Sequence, residues 1–201
     1  SLALLLGLVA AIRPNRWPDH LGRLFGVVAV AMPTYWIGLL LIYGLAIAGQ
    51  WLPAVGRGSL ENLIMPAISL GLASASIHAR LFRAGILETL SQEYVRYAKA
   101  KGLSFRQVIR YHAIRPSLIP FVTSAGTTFG QMLGGSVIVE SVFAWPGVGK
   151  MMMEAVFNRD YPLIQGYILV MAVMYTLVNL ATDLVCAWID PRMRLTKERP
   201  S

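Results

Sequence analysis

The sequence predicts an all-α membrane protein that crosses the bilayer several times, and a few observations carry that prediction. Of its 201 residues, 56% are hydrophobic and only 14% charged, too apolar and too sparsely charged for a soluble domain. The apolar residues gather in runs near the roughly 20 residues that a helix needs to cross a hydrocarbon core about 30 Å thick. Most of the 18 lysines and arginines fall between those runs, where the loops of a membrane protein carry their positive charge. Nucleic acid is not the partner implied by the net charge of +8, because the basic residues do not line one aromatic-studded surface.

Each element follows in order. The chain opens on SLALLLGLVAAI, about half of a full span, which reads as the end of a helix truncated at its N-terminus. Arg13 to Asp19 (RPNRWPD), rich in proline and charge, predicts a loop. A span follows from about Leu24 to Ala48, with a kink near Met32 where Pro33 removes a helical hydrogen bond. Gln50 to Asn62 is a turn-rich loop with Trp51 at headgroup depth. The next span runs from about Leu63 to Ile86, and its last turns hold His78, Arg80 and Arg83, so that end reaches water or snorkels to it.

Glu88 to Pro116 is the long polar stretch. Leu87, Leu90, Tyr94 and Ala98 repeat at helical spacing, Gly102 interrupts, and Phe105, Val108, Ile109 and His112 form a second apolar face. Two short amphipathic helices joined at Gly102 are predicted. A span from about Leu118 to Val142, a loop from Phe143 to Pro162 and a last span from about Leu163 to Trp188 complete the chain, with Asp190-Pro191 as its stop signal. Orientation follows from charge. The segments around Arg13–Arg23, Arg80–Arg115 and the tail hold fifteen lysines and arginines, the Gln50 and Phe143 loops three, which puts the former on the cytoplasmic side and the latter outside.

The span after Pro120 carries Thr123, Ser124, Thr127, Thr128 and Gln131 beside Gly126, Gly130 and Gly134. Such residues either pack helices closely or face an aqueous path. Thr127 and Gln131 are the candidates for a translocation path, Gln131 first because its amide is long for a tight contact. Glu140 joins them at the outer end of the span, where a charged group is either functional or simply hydrated. Asp183, four residues after Asn179, suits a snorkelling or interhelical role. Met151 to Met153 more often means adaptable packing than a soft metal site, and Cys186 has no partner for an intrachain disulfide.

The stretch EYVRYAKAKGLSFRQVIRYHAIRPSLIP resembles the coupling motif of ABC importer permeases, in which a short helix and an essential glycine dock into a cleft on an ATPase subunit. With Tyr94, Val95, Arg96, Ala98, Ala100, Lys101, Gly102 and Leu103 it looks like the dipeptide, oligopeptide and nickel branch of that family. The general motif has a glutamate and two alanines before its glycine and a leucine-proline after it. Here Arg96, Tyr97 and Ile114-Arg115 stand at the glutamate, first alanine and leucine-proline positions, departures typical of the branch. MPTYWIGLLL at Met32 to Leu41 and IVESVFAWPGVGKMMMEAVFNRDYP at Ile138 to Pro162 extend the likeness, which covers about Arg13 to Arg194.

The resemblance implies a type I importer-like permease domain over residues 1–201, with a cytoplasmic coupling segment at 88–116 and an outward loop at 143–162. It implies six spans in a bacterial inner membrane, and so at least one further span and an outward segment before Ser1. The function implied is the pore-forming subunit of an ATP-driven importer of peptides or nickel delivered by an extracytoplasmic binding protein. Its partners would be a second homologous permease subunit and two ATPase subunits that bind ATP and Mg, with lipid around it. No cofactor, metal site or catalytic residue is expected in this chain. Tyr94, Ala98, Gly102 and Leu103 are the residues expected to dock on the ATPase. Without the resemblance, a basic amphipathic loop of this kind could equally lie on anionic headgroups.

Other classes fit less well. The nearest approach to a phosphate loop, Ala144 to Met151, lacks its first glycine and its final serine or threonine. An intramembrane hydrolase needs a base at the depth of its nucleophile, and His20, His78 and His112 all fall at or beyond the cytoplasmic boundary. An ion-coupled secondary transporter is the alternative, but only Asp183 and Glu140 approach the embedded carboxylates it requires.

Overall fold

A computed structural model describes residues 2–12, 17–134 and 137–190. Its elements are helical: α1 (Leu2–Ile12), α2 (Trp17–Ala31), α3 (Thr34–Leu41), α4 (Glu61–Ser91), α5 (Glu93–Ala100), α6 (Phe105–Val108), α7 (Ile114–Leu133), α8 (Val137–Val142), α9 (Val148–Asn158) and α10 (Tyr161–Ile189). Wider π-helical turns extend α3 over Ile42–Ala48 and join α6 to α7 over Ile109–Ala113. Among the described residues no strand occurs. Among the described residues two helices, α4 and α10, are by length and composition fit to cross a membrane, or up to three spans if the bent pair around Pro33 is counted as one.

The predicted spans need correction in several places. The span expected from Leu24 begins at Trp17, which moves Asp19 from a loop into the first turn of a helix; Arg13 to Arg16 lie outside the described residues. Pro33 does not kink that span but breaks it, with a bend of 104°. Its ψ of 139° is extended, and its ring disfavours helical geometry at Met32, so α2 stops at Ala31 and Pro33 becomes the N-cap of α3. The span expected over Leu118–Val142 is also two helices: α7 ends at Leu133 and α8 starts at Val137. The break opens at Gly134, which lies in a turn. The stretch expected to be a loop at 143–162 holds the helix α9, and α4 runs on to Ser91, beyond the Ile86 expected.

Contacts divide the chain into two units. The first is drawn from Ser1–Gly26, Ala75–Thr127 and Val178–Ser201, the second from Val27–Ser74 and Thr128–Leu177. Segments assigned to the cytoplasmic side by charge fall in the first, and the Trp51 and Trp145 loops in the second.

In the first unit Ala11, Phe82, Ile86 and Ala113 form the buried centre, with Leu8, Leu118 and Phe121 packed on it. Phe121 meets Phe82 edge-on at 5.5 Å between ring centroids, a favoured aromatic geometry. Small residues let the helices close. A Cβ on Gly7 would stand 2.7 Å from the Ala79 carbonyl oxygen, and one on Gly126 would overlap the Thr182 hydroxyl. This unit also buries Asp19 completely, between the Nη2 groups of Arg83 at 2.8 Å and Arg23 at 3.1 Å. In the turns expected to reach water or snorkel to it, Arg80 is exposed, whereas His78 is buried at 6% exposure, with Nε2 3.3 Å from the Ser124 hydroxyl.

In the second unit Met65, Val139 and Phe143 are the buried centre, with Leu41, Leu45, Leu70 and Val142 around them. Gly38 lets α3 approach α8: its Cβ would lie 3.2 Å from the Phe143 ring. The Gly56 amide donates to the Phe143 carbonyl at 3.0 Å. The Tyr167 hydroxyl donates to the Gly134 carbonyl, satisfying a group that the end of α7 would otherwise leave open. Of the 29 residues of α10 only Cys186 is buried. Leu169, Leu184 and Trp188 stand 68%, 60% and 81% exposed, which suits lipid or another apolar subunit rather than water.

Candidate functional site

The turn between α5 and α6 is built from local signals. Helix α5 ends on a Schellman arrangement: the Gly102 amide donates to the Lys99 carbonyl at 3.0 Å and the Leu103 amide to the Ala98 carbonyl at 3.3 Å. That geometry asks for a left-handed residue at its turning point, and Gly102 supplies it with φ +88°. Two residues later Ser104 starts α6 with a capping box. Its hydroxyl accepts from the Gln107 amide at 3.4 Å, and the Gln107 side-chain oxygen accepts from the Ser104 amide at 2.9 Å. The S-x-x-Q spacing is a helix-start signal that the sequence reading did not use. A stop and a start on adjacent residues fix the angle between the helices.

Around Gly102 the space is open, with nothing within 4 Å of where a Cβ would stand. The glycine is therefore required by its backbone dihedral and not by any neighbour in this chain. Of the other residues expected to dock, Tyr94 is 47% exposed and its hydroxyl donates to the His112 carbonyl at 3.4 Å. Leu103 is half-buried. Ala98, expected among the docking contacts, turns inward beside Val95, at 8% and 0% exposure. The outward face instead presents aromatic rings under cations: Lys101 over Tyr97 at 4.7 Å, Lys99 over Phe105 at 6.0 Å and Arg110 over Tyr111 at 5.6 Å. These contacts gather positive charge on the exposed face of the segment.

The residues expected along a path behave differently from one another. Thr127 and Gln131 lie four apart on α7 and are exposed. The Thr127 hydroxyl donates to the Thr123 carbonyl at 3.0 Å, within its own helix, and Gln131 has no side-chain partner among the described residues. Glu140 is half-buried and engaged. Its carboxylate accepts from the Lys150 amide at 2.7 Å, an orphan donor in the first turn of α9, whose N-cap Gly147 has no side chain to offer. Only glycines leave room for it: a Cβ on Gly147 would overlap the carboxyl group, and one on Gly149 would stand 3.2 Å from it. Glu140 thus serves as a cap supplied from a neighbouring helix.

Sequence reasoning missed Asp19, although Asp19 and Arg23 stand four residues apart, the spacing of a helical ion pair. The proline beside it and the charges before it outweighed that signal.

The described residues give a helical chain with apolar spans and a capped, basic segment that turns at Gly102. Residues 3–195 match the model of the binding-protein-dependent transport system inner membrane component family, and the chain belongs to that family. It is similar to the glutathione transport system permease protein GsiC of Salmonella paratyphi A, 41% identical over 189 residues, which cover 94% of this chain and 62% of the relative. GsiC of Escherichia coli K12 is 42% identical over 188 residues, covering 94% and 61%. The chain therefore spans a little over three fifths of the length of these curated relatives.

Proposed function

We propose that this chain is the pore-forming subunit of an ATP-driven importer of short peptides. In this reading an extracytoplasmic binding protein delivers the cargo, a second homologous permease completes the pathway, and two ATPase subunits hold ATP and Mg. The observation that carries it is the Gly102 turn: a rigidly capped bend with open space beside it and cations gathered on its outer face. A helix resting on lipid needs no such hinge, whereas one seated in a protein cleft does. Tyr94, Gly102 and Leu103 form the docking element, with Ala98 supporting it from inside. The relatives belong to glutathione transport systems, and glutathione is a tripeptide, which favours peptide over nickel.

Thr127 and Gln131 lie along the path in this reading. Glu140, expected with them, bears on the outer mouth through its cap on α9. A Gln131→Cys variant in a Cys186→Ser background reacts with a small polar thiol reagent more in one nucleotide state than in another.

The test uses the full-length protein with its partners in proteoliposomes. Uptake of labelled glutathione or a dipeptide requires ATP and survives collapse of ion gradients; the reverse would make the chain part of an ion-coupled transporter. Gly102→Val, forced to φ +88°, costs about 1–3 kcal/mol and lowers substrate-stimulated hydrolysis without loss of membrane insertion. Gly102→Asn, which tolerates the left-handed region, separates the requirements. Its recovery of hydrolysis assigns the effect to the dihedral, and its failure assigns it to close approach of the partner. Ser91→Ala, outside the turn, leaves hydrolysis unchanged.

A further inference from the structure

A cavity of about 660 Å³ opens in the first unit between α1, the start of α2 and α4. One side is apolar, formed by Leu2, Leu6, Val9 and Ala10 of α1. The other is charged. Three arginines, Arg23, Arg80 and Arg83, line it against one carboxylate, Asp19, an excess of two positive charges. Asp19 accepts from Arg23 and Arg83, while Arg80 makes no ion pair among the described residues. Guanidinium groups are suited to phosphate oxygens.

Two kinds of ligand would satisfy those arginines, a free anion or the headgroup of a lipid. A free anion would leave the α1 wall against water. An acyl chain covers it, gaining the free energy of apolar burial or lipid-like packing along Leu2, Leu6 and Val9. The positive charge of these segments also puts this end of the chain at the cytoplasmic face, where anionic lipids attract basic residues. We propose that the cavity binds an anionic phospholipid of the cytoplasmic leaflet. Its phosphate accepts from Arg80 and Arg83, Arg23 adds charge, and its acyl chain lies along α1. This site is separate from the Gly102 turn and stands whether or not the cargo is a peptide.

The test is lipid retention by the full-length protein in its complex, followed by native mass spectrometry after exchange into mixed micelles of phosphatidylglycerol and phosphatidylcholine. The native protein retains phosphatidylglycerol preferentially. Arg80→Gln reduces that preference about fivefold with complex assembly unchanged, and Arg23→Gln, which leaves the Arg83–Asp19 pair in place, does the same. Ala10→Trp fills the apolar side while keeping every charge, and it too lowers retention. Equal retention of the two lipids by the native protein would overturn the proposal. So would Arg80→Gln and Arg23→Gln variants with native preference. Displacement of phosphatidylglycerol by inorganic phosphate, with Ala10→Trp inert, would also overturn it by showing a free-anion site. A lipid-free cavity cross-linked to another segment of the protein would replace the lipid with a protein occupant.

Discussion

Asp19 and Glu140 are both acidic residues near helix ends, and their environments differ in kind. Asp19 is fully buried and met by two arginine side chains from α2 and α4. Glu140 is half-buried and met by one backbone amide, in a space that Gly147 and Gly149 keep clear. One carboxylate ties helices together through charge, so its removal strands other charges. The other completes the hydrogen bonding of a helix start, so its removal frees a single donor that water can reach. A carboxylate's role is thus decided by what donates to it, which the sequence around it does not print.

The largest expected effect separates the two at once. Asp19→Ala leaves Arg83 without its counter-charge and destabilises the folded protein by about 3–5 kcal/mol, read as a fall in the melting temperature of the detergent-purified transporter. Asp19→Leu combined with Arg83→Met recovers much of that loss, because removing both members of a buried pair costs far less than removing one. A small effect of Asp19→Ala alone would show that its pairing contributes little. Glu140→Ala is expected to cost about 1 kcal/mol, the usual scale for a lost helix cap, and Gly147→Ala a similar amount because it displaces the same carboxylate. The double variant should be little worse than either single one; additive losses would mean that the glycine and the carboxylate act independently. Smallest is Lys150→Ala, under about 0.5 kcal/mol. Its ammonium group lies 3.9 Å from Glu154 with both side chains largely exposed, and its backbone amide still meets Glu140. A larger loss would mean that Glu140 works through the lysine's charge instead.

The helices were more legible than their breaks. Hydropathy and charge place α4 and α10 within a few residues, because long apolar runs leave little choice of structure. The paired amphipathic helices around Gly102 were equally readable, since period and glycine agree there. What failed was the assumption that an apolar run is one helix. Leu24–Ala48 and Leu118–Val142 read as continuous, yet the first divides at Pro33 and the second after Leu133, and hydropathy is blind to such breaks. Helix α9 was hidden for the opposite reason: its Pro-Gly entry looked like a loop, and the cap that starts it comes from Glu140, ten residues before Lys150. Tertiary capping has no local signal. The same holds for His78, whose partner Ser124 lies 46 residues away.

Helix α10 has a consequence beyond its own contacts. Its 29 residues extend about 43 Å, against a hydrocarbon core of about 30 Å. The surplus must be absorbed by tilting, by entering the headgroup layers or by thickening the bilayer, each at a modest cost per ångström of mismatch. Acyl-chain length therefore becomes an external control on the angle at which this helix stands. The subunit's working geometry belongs jointly to the chain and to the membrane that surrounds it.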